Sequence, residues 1–317
     1  MKHSDKKVIY AALIGNSAIA VMKFIAAVSS GSAAMLAEGF HSTADSVNQV
    51  MLLIGHKRAA QPPDEKHPFG YGKEIYFWAF VVAVSIFCVG AALSIYGGVK
   101  KILHPGPVKS LYLSLIVLGI SVIIEAYPWW VAYSEAKSLK SEKGFSGFLD
   151  LAVRSKNPTI MVVLLEDSAA MVGLFVAAIG ISLAHVTGKP IFDAAASILI
   201  GIVLFILALF LARETKALLI GESAGSQDRE RIRQVICGMN EITSCGQLLT
   251  MHMGPEDILV NMEVEFLDGL STDEVEAVIE KVEQSVKAAV PAVTKIFIEA
   301  QSLKKKPAKT KTPGKQG

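Results

Sequence analysis

The feature that most constrains this chain is a series of six apolar runs, each long enough to cross a lipid bilayer. A membrane-spanning helix needs roughly 20 predominantly apolar residues, because the hydrocarbon core is about 30 Å thick. The runs are Val8–Val28, Ala33–Leu53, Ile75–Val99, Leu111–Val131, Thr159–Leu183 and Ile191–Leu211. They predict a polytopic α-helical membrane protein with six transmembrane helices, whose first partner is the lipid bilayer.

The composition agrees with this class. Of 317 residues, 52% are hydrophobic and only 19% are charged, and the mean hydropathy is +0.45. Such values fit a membrane protein with a modest soluble part better than a globular enzyme. The net charge of +2 provides no basic surface for nucleic acid. The sequence shows no nucleophile–base set and no nucleotide-binding glycine loop, so we expect neither an enzyme nor a resident cofactor.

The second apolar run carries a stripe of polar side chains. Glu38, His41, Asp45 and Asn48 follow one another at positions i, i+3, i+7 and i+10, which places them on one helix face. Ionisable groups inside a membrane span are costly and normally face each other or a water-filled path. His41 and Asp45, one turn apart, can hold one divalent cation through an imidazole nitrogen and a carboxylate oxygen. The alternative is a hydrogen-bonded pair that ties helices together.

The fifth run contains two more carboxylates, Glu166 and Asp167. A helix with two ligands needs a partner helix that supplies the rest, so we expect a metal site between the second and fifth helices, with Asp167 as a ligand. Glu166 points about 100° away from Asp167 on a helix, so its role stays open between accessory ligand, proton acceptor and partner of Lys23. Glu38 and Asn48 are likewise candidates for an accessory ligand or a proton relay.

Two further positions are candidates on weaker grounds. Glu125 in the fourth run, just before PWW, is a candidate for lining the metal path. The loop QPPDEKHPFGYGK holds Asp64 and His67 three residues apart. These two side chains indicate either a peripheral metal site or a turn shaped by the prolines and glycines around them.

The charges of the loops predict the orientation of the chain in the membrane. The second-to-third and fourth-to-fifth loops carry nine lysines and arginines, against four on the opposite side. The positive-inside rule therefore predicts that both termini lie in the cytoplasm and that the protein resides in an inner or cell membrane.

The three cysteines, Cys88, Cys237 and Cys245, form no CxxC pair. This spacing favours three buried thiols over disulfides or a zinc–thiolate cluster.

From about Gly221 the charge returns and the pattern changes. A short helical pattern around Ile232 comes first, and Ser271 with Glu274 forms a capping box before a second helix. Strands are predicted at Ile242–Leu249, Ile258–Phe266 and Val293–Ala300. The order helix, strand, strand, helix, strand predicts a small α+β soluble domain. We therefore divide the chain into a transmembrane domain (1–219), an α+β domain (220–303) and a disordered basic tail (304–317).

The motifs AEGFHSTAD, HPFGYGK and VVLLEDSAA resemble those of the cation diffusion facilitator family of divalent-metal/proton antiporters. Within that family they are most similar to the branch that contains a mitochondrial zinc transporter. The resemblance implies a ferredoxin-like cytoplasmic domain, a homodimer, and export of a divalent cation, most readily Zn²⁺, from the cytoplasm in exchange for protons. A non-transporting metal sensor or scaffold is the alternative.

The resemblance also implies a ligand set, from which this chain departs. The family's transport site falls on His41, Asp45, Val163 and Asp167, and Val163 stands where relatives have His or Asp. Glu166 or a water could complete the tetrahedron, and an oxygen-rich site weakens the preference for Zn²⁺ over Mn²⁺, Fe²⁺ or Co²⁺.

Two other family positions depart as well. Tyr71 replaces a second loop histidine, and Asn261 replaces a zinc-binding histidine of the soluble domain. His252 alone cannot make a site, so we do not expect metal sensing by that domain.

Overall fold

The computed structural model describes residues 3–143 and 158–301. The chain divides into two compact units, Met1–Ile220 and Gly221–Gly317. The basic tail predicted for residues 304–317 lies outside the described residues. So do Arg154 and Lys156, two of the nine lysines and arginines that are counted for the positive-inside rule.

The first unit is built from helices that follow the six apolar runs. They are α1 (His3–Ser30), α2 (Ala33–Ala59), α3 (Glu74–Ser85), α4 (Leu93–Leu103), α5 (Leu111–Lys143), α6 (Pro158–Thr187) and α7 (Ile191–Ile220). A π-helical segment, Ile86–Ala92, joins α3 to α4, so that Glu74–Leu103 forms one continuous helix. The buried core between the helices is rich in alanine, which lets the helices approach closely.

Four helices in the described part of the chain are long and apolar enough to cross a membrane. They are Glu74–Leu103, Leu111–Ser138, Met161–Thr187 and Ile191–Ile220. The apolar stretch described in α1, Asn16–Ser30, is shorter, and α2 carries the polar stripe along its 27 residues. All six apolar runs are helical, but a total of six membrane spans stays a prediction.

The start of α2 is fixed to the start of α7. The buried Asp193 carboxylate of α7 accepts hydrogen bonds from the Ser32 hydroxyl and from the backbone amides of Ala33 (2.7 Å) and Ala34 (3.2 Å). Ser32 itself caps α2 by accepting from the Met35 amide. The first amides of a helix lack intrahelical partners, and a carboxylate there also interacts favourably with the helix dipole. The helix that carries the predicted ligands therefore begins at a well-defined point.

The second unit shows the predicted order of elements. These are α8 (Ser226–Cys237), β1 (Ile242–Gly254), β2 (Asp257–Phe266), α9 (Thr272–Ala289) and β3 (Val293–Ala300). The central strand β2 is antiparallel to β1 and parallel to β3, and its alternate side chains are buried as the sequence pattern predicts. The capping box of Ser271 and Glu274 is present at the start of α9. A ferredoxin-like fold for this unit stays a prediction.

The prediction of three buried thiols is wrong. Cys237, at the end of α8, and Cys245, in β1, form a disulfide with their Cα atoms 5.9 Å apart. Cys88 is exposed. The spacing of the two bonded cysteines matches no motif, and only the packing of α8 beside β1 brings them together.

Candidate metal site

A cavity of about 70 Å³ lies between α1, α2, α5 and α6. It is lined by Asn16, Ile19, Ser42, Asp45, Gln49, Leu52, Glu125, Pro128, Val163, Glu166, Asp167 and Ala170. This space is large enough for a cation together with water ligands. Asp45 of the second run thus faces the same cavity as Glu166 and Asp167 of the fifth run, and Glu125 joins them there.

Asp45 of α2 and Glu166 of α6 interact across the cavity. Their carboxyl groups lie within hydrogen-bonding reach of each other. Asn48 Nδ2 also donates to Glu166 Oε1 at 2.6 Å. Two carboxyl groups this close need either a shared proton or a cation between them. Glu166 therefore faces α2 and the cavity, and it contacts Asp45 and Asn48 of that helix.

Several buried polar atoms around the cavity find no hydrogen-bond partner among the described residues. They are Asp45 Oδ1, Asp167 Oδ2, Glu125 Oε2, Asn48 Oδ1 and both ring nitrogens of His41. Buried polar atoms are paired in the great majority of cases, so such a group points to a ligand. Carboxylate oxygens and an imidazole nitrogen form a donor set that suits Zn²⁺ and also harder divalent cations such as Mn²⁺.

The predicted ligands are near one another but are not arranged as a finished metal site. In the ranges 3–143 and 158–301, no three His, Cys, Asp or Glu side chains stand in a geometry that could hold a metal ion. His41, only 1% exposed, lies outside the cavity lining, with Nδ1 3.5 Å from Asp45 Oδ1. Val163 lines the cavity one turn before Asp167 and offers no ligand. Coordination by His41, Asp45 and Asp167 therefore requires side-chain rotations.

Glu38, a candidate accessory ligand, is turned away from this cavity. Its Oε2 accepts from Lys23 Nζ at 3.0 Å. The same ammonium donates to Ser42 Oγ at 2.8 Å and to Glu125 Oε1 at 2.9 Å. From the sequence, Lys23 is predicted only as a candidate partner of Glu166. Its position as a single lysine within an apolar run was the signal that could have given it a role of its own.

The loop candidates Asp64 and His67 form a turn. Asp64 Oδ1 accepts from the amides of Lys66 (3.0 Å) and His67 (2.7 Å), and Oδ2 accepts from the Tyr71 hydroxyl (2.6 Å). The Tyr71 hydroxyl and the His67 amide lower the pKa of Asp64. The His67 ring packs on Tyr71 at a centroid distance of 4.2 Å. Both carboxylate oxygens of Asp64 thus accept hydrogen bonds within the turn. A peripheral metal site at Asp64 and His67 stays a prediction.

Sequence comparisons place the chain in a family. Residues 9–220 match the cation efflux transmembrane domain, and residues 224–301 match the cytoplasmic domain of cation efflux proteins. The chain belongs to the cation efflux family. This family consists of cation efflux proteins, and the chain carries both the transmembrane domain and the cytoplasmic domain of the family.

Named relatives come from animals, plants and bacteria. The human "Proton-coupled zinc antiporter SLC30A9, mitochondrial" is 32% identical over 260 residues, which cover 82% of this chain and 46% of that protein. "Metal tolerance protein C4" of Arabidopsis thaliana is 32% identical over 265 residues, 84% of this chain and 58% of the relative. The magnetosome protein MamB of Magnetospirillum gryphiswaldense is 23% identical over 286 residues, 90% of each chain. The chain spans about half the length of the first two relatives.

Proposed function

We propose that this chain is a secondary transporter that exports a divalent cation, most readily Zn²⁺, from the cytoplasm in exchange for protons. The observation that carries the proposal is the cavity between α2 and α6, where Asp45, Glu166 and Asp167 meet. The mitochondrial relative, whose name describes a proton-coupled zinc antiporter, supports the same substrate and the same coupling.

The ligands in this proposal are His41, Asp45 and Asp167, with Glu166 in place of the ligand that Val163 lacks. The contact of Glu166 with Asp45 and its hydrogen bond from Asn48 support this choice, because they hold its carboxyl group at the cavity. Three carboxylates and one imidazole make a site rich in oxygen. Mn²⁺, Fe²⁺ or Co²⁺ are therefore the alternative substrates.

Proton coupling follows from the chemistry of these ligands. A metal ion requires ionised carboxylates and a neutral imidazole, so metal binding releases protons and protonation releases the metal. The Asp45–Glu166 contact suits this competition, since a proton or a cation can hold the two carboxyl groups together. Alternating exposure of the site would come from rocking of α2 and α6 against the rest of the helix bundle.

The remaining features of the proposal concern topology and assembly. We place six membrane spans in an inner or cell membrane, with both termini in the cytoplasm. The second unit is a cytoplasmic dimerisation domain of about 80 residues, as its match to the cation efflux cytoplasmic domain supports. The transported ion is a substrate and not a resident cofactor.

The test is uptake of Zn²⁺ and of Mn²⁺ into proteoliposomes whose lumen is more acidic than the medium. Wild type should accumulate the ion in proportion to the pH gradient, and Asp45→Asn and Asp167→Asn should each reduce the rate at least about tenfold. Glu65→Gln is the matched control, because it removes one carboxylate from the exposed loop. Uptake that ignores the gradient would indicate a channel, and no uptake of any divalent ion would favour the sensor alternative.

A further inference from the structure

Lys23 of α1 occupies an unusual position for a lysine. It is fully buried, and its Nζ donates to Glu38 Oε2 (3.0 Å), Ser42 Oγ (2.8 Å) and Glu125 Oε1 (2.9 Å). Among the side chains that the structure describes, it is the single lysine or arginine that is buried. One ammonium group therefore joins α1, α2 and α5 inside the helical unit.

This ammonium group adjoins the candidate metal site. Ser42 and Glu125, two of its three partners, line the cavity together with Asp45 and Asp167. Glu125 places one oxygen on Lys23, while its other oxygen, Oε2, has no hydrogen-bond partner in the described ranges. The Glu125 carboxylate can therefore bind either Lys23 or a cation in the cavity. In this structure Lys23 binds one of the two carboxylate oxygens.

Glu38 shows the same division between its two oxygens. Oε2 binds Lys23, while Oε1 has no hydrogen-bond partner among the described side chains and faces Gly173 of α6. A methyl group at Gly173 would collide with that oxygen. Glu38 precedes Asp45 by seven residues on α2, so the ammonium group lies on the side of Asp45 that is toward the start of that helix.

We propose that Lys23 is a resident counter-cation of the transport site, a positioning residue that holds one oxygen of Glu125 and one oxygen of Glu38 away from the transported ion. The proposal rests on the transport function given above. A transport site must bind its ion firmly enough to load and weakly enough to release. A fixed positive charge one hydrogen bond from the cavity weakens cation binding by repulsion, and it also occupies one oxygen of Glu125, a carboxylate that lines the cavity.

The test measures two quantities. The Zn²⁺ affinity of the full-length protein in detergent is measured by competition with a chromogenic chelator, and the Zn²⁺ flux is measured in proteoliposomes. Lys23→Met should bind Zn²⁺ at least about tenfold more tightly than wild type and transport it at least about tenfold more slowly. Lys23→Arg keeps the charge, so both quantities should stay within about threefold of wild type. Lys100→Met, which removes an exposed lysine, is the control for net charge.

A double-mutant cycle identifies the carboxylate that is released. Glu125→Gln alone should weaken Zn²⁺ binding, because it removes a negative charge from the cavity lining and leaves the charge of Lys23 in place, whereas Lys23→Met/Glu125→Gln should lose most of the gain seen in Lys23→Met. If Lys23→Met does not fold, Lys23→Met/Glu38→Gln removes the unpaired Glu38 charge and should show the same tightening. A lysine with a purely structural role would lower the stability of the protein without tightening metal binding.

The outcomes separate this inference from the proposed function. Suppose that wild type binds and transports Zn²⁺, while a folded Lys23→Met protein binds Zn²⁺ equally well or more weakly. This result would overturn the role of Lys23 and leave the proposed function standing. A wild-type protein that neither binds nor transports Zn²⁺ or Mn²⁺ would overturn the proposed function, and the counter-cation with it.

Discussion

Asn48 Nδ2 donates a hydrogen bond of 2.6 Å to Glu166 Oε1, which joins α2 to α6 beside the cavity. Glu166 also contacts Asp45, so one carboxyl group connects two polar residues of the opposite helix. Hydrogen bonds to carboxylates are among the stronger ones in proteins. This bridge fixes the orientation of Glu166, which its position on the helix alone left undecided.

The first prediction concerns Glu166. In Glu166→Gln an amide replaces the carboxylate that we propose as the fourth ligand, so Zn²⁺ affinity should fall by about 10- to 100-fold. Asn48→Leu should weaken binding less, because it removes only the group that orients Glu166. Chelator competition on the purified protein measures both changes. Wild-type affinity in a folded Glu166→Gln protein would exclude Glu166 as a ligand.

The second prediction concerns Val163, which faces the cavity one turn before Asp167. Val163→His adds an imidazole ligand, and imidazole nitrogen favours Zn²⁺ over Mn²⁺. The ratio of Zn²⁺ to Mn²⁺ affinity should therefore rise at least about tenfold over wild type. Val163→Leu, which stays apolar, serves as the control and should leave the ratio unchanged. An equal ratio in Val163→His and Val163→Leu would contradict a ligand position at 163.

The third prediction concerns Asp193, which accepts hydrogen bonds from the first amides of α2. Asp193→Asn keeps the size of the side chain but removes its charge and one acceptor oxygen, so the protein should lose about 1–2 kcal/mol of stability. Thermal unfolding in detergent should show a lower midpoint, while Zn²⁺ affinity stays within about threefold of wild type. An unchanged midpoint would show that this anchor does not stabilise the helical unit.

The elements that could be predicted from the sequence are those set by local pattern. The apolar runs gave the helices of the first unit, and the alternation along Ile258–Phe266 with the Ser271 capping box gave the order of elements in the second. The i, i+7 spacing of Glu38 and Asp45 placed both on one helix face, but it did not show that Glu38 turns to Lys23 instead of the cavity.

What the sequence could not give depends on how distant segments pack. Lys23 and Glu125 are 102 residues apart, and Asn48 and Glu166 are 118 residues apart, so no local pattern connects them. The disulfide between Cys237 and Cys245 likewise depends on α8 packing beside β1. The side-chain rotations that a bound cation requires belong to the same class of tertiary effects.

The fourth prediction concerns the second unit, whose own hydrophobic core leads us to expect that residues 221–301 fold alone. In that fragment, Ser271→Ala should lower the free energy of unfolding by about 1 kcal/mol at pH 7, the usual cost of losing an N-cap hydroxyl. Denaturation by urea measures the change, with Ser226→Ala, at an exposed position of α8, as the control. An equal loss in both variants would contradict a specific effect of the cap.

The pH dependence of this effect has a definite sign. The backbone amide and the hydroxyl of Ser271 lower the pKa of Glu274 from its ordinary value of 4.5. A lowered pKa in the folded state stabilises the fold fully above the ordinary value, and the stabilisation is lost as the pH falls through the lowered value. The difference between wild type and Ser271→Ala should therefore be largest at neutral pH and shrink below about pH 4.

The most direct test of the account is whether a zinc gradient alone drives protons in the opposite direction. Proteoliposomes with equal pH inside and outside, a pH dye in the lumen and the membrane potential clamped would receive external Zn²⁺. Wild type and Glu65→Gln should make the lumen alkaline as Zn²⁺ enters, and Asp45→Asn and Asp167→Asn should abolish both signals. Entry of Zn²⁺ without a change in lumenal pH, or an unchanged response in Asp45→Asn, would contradict competition between metal and protons at this site.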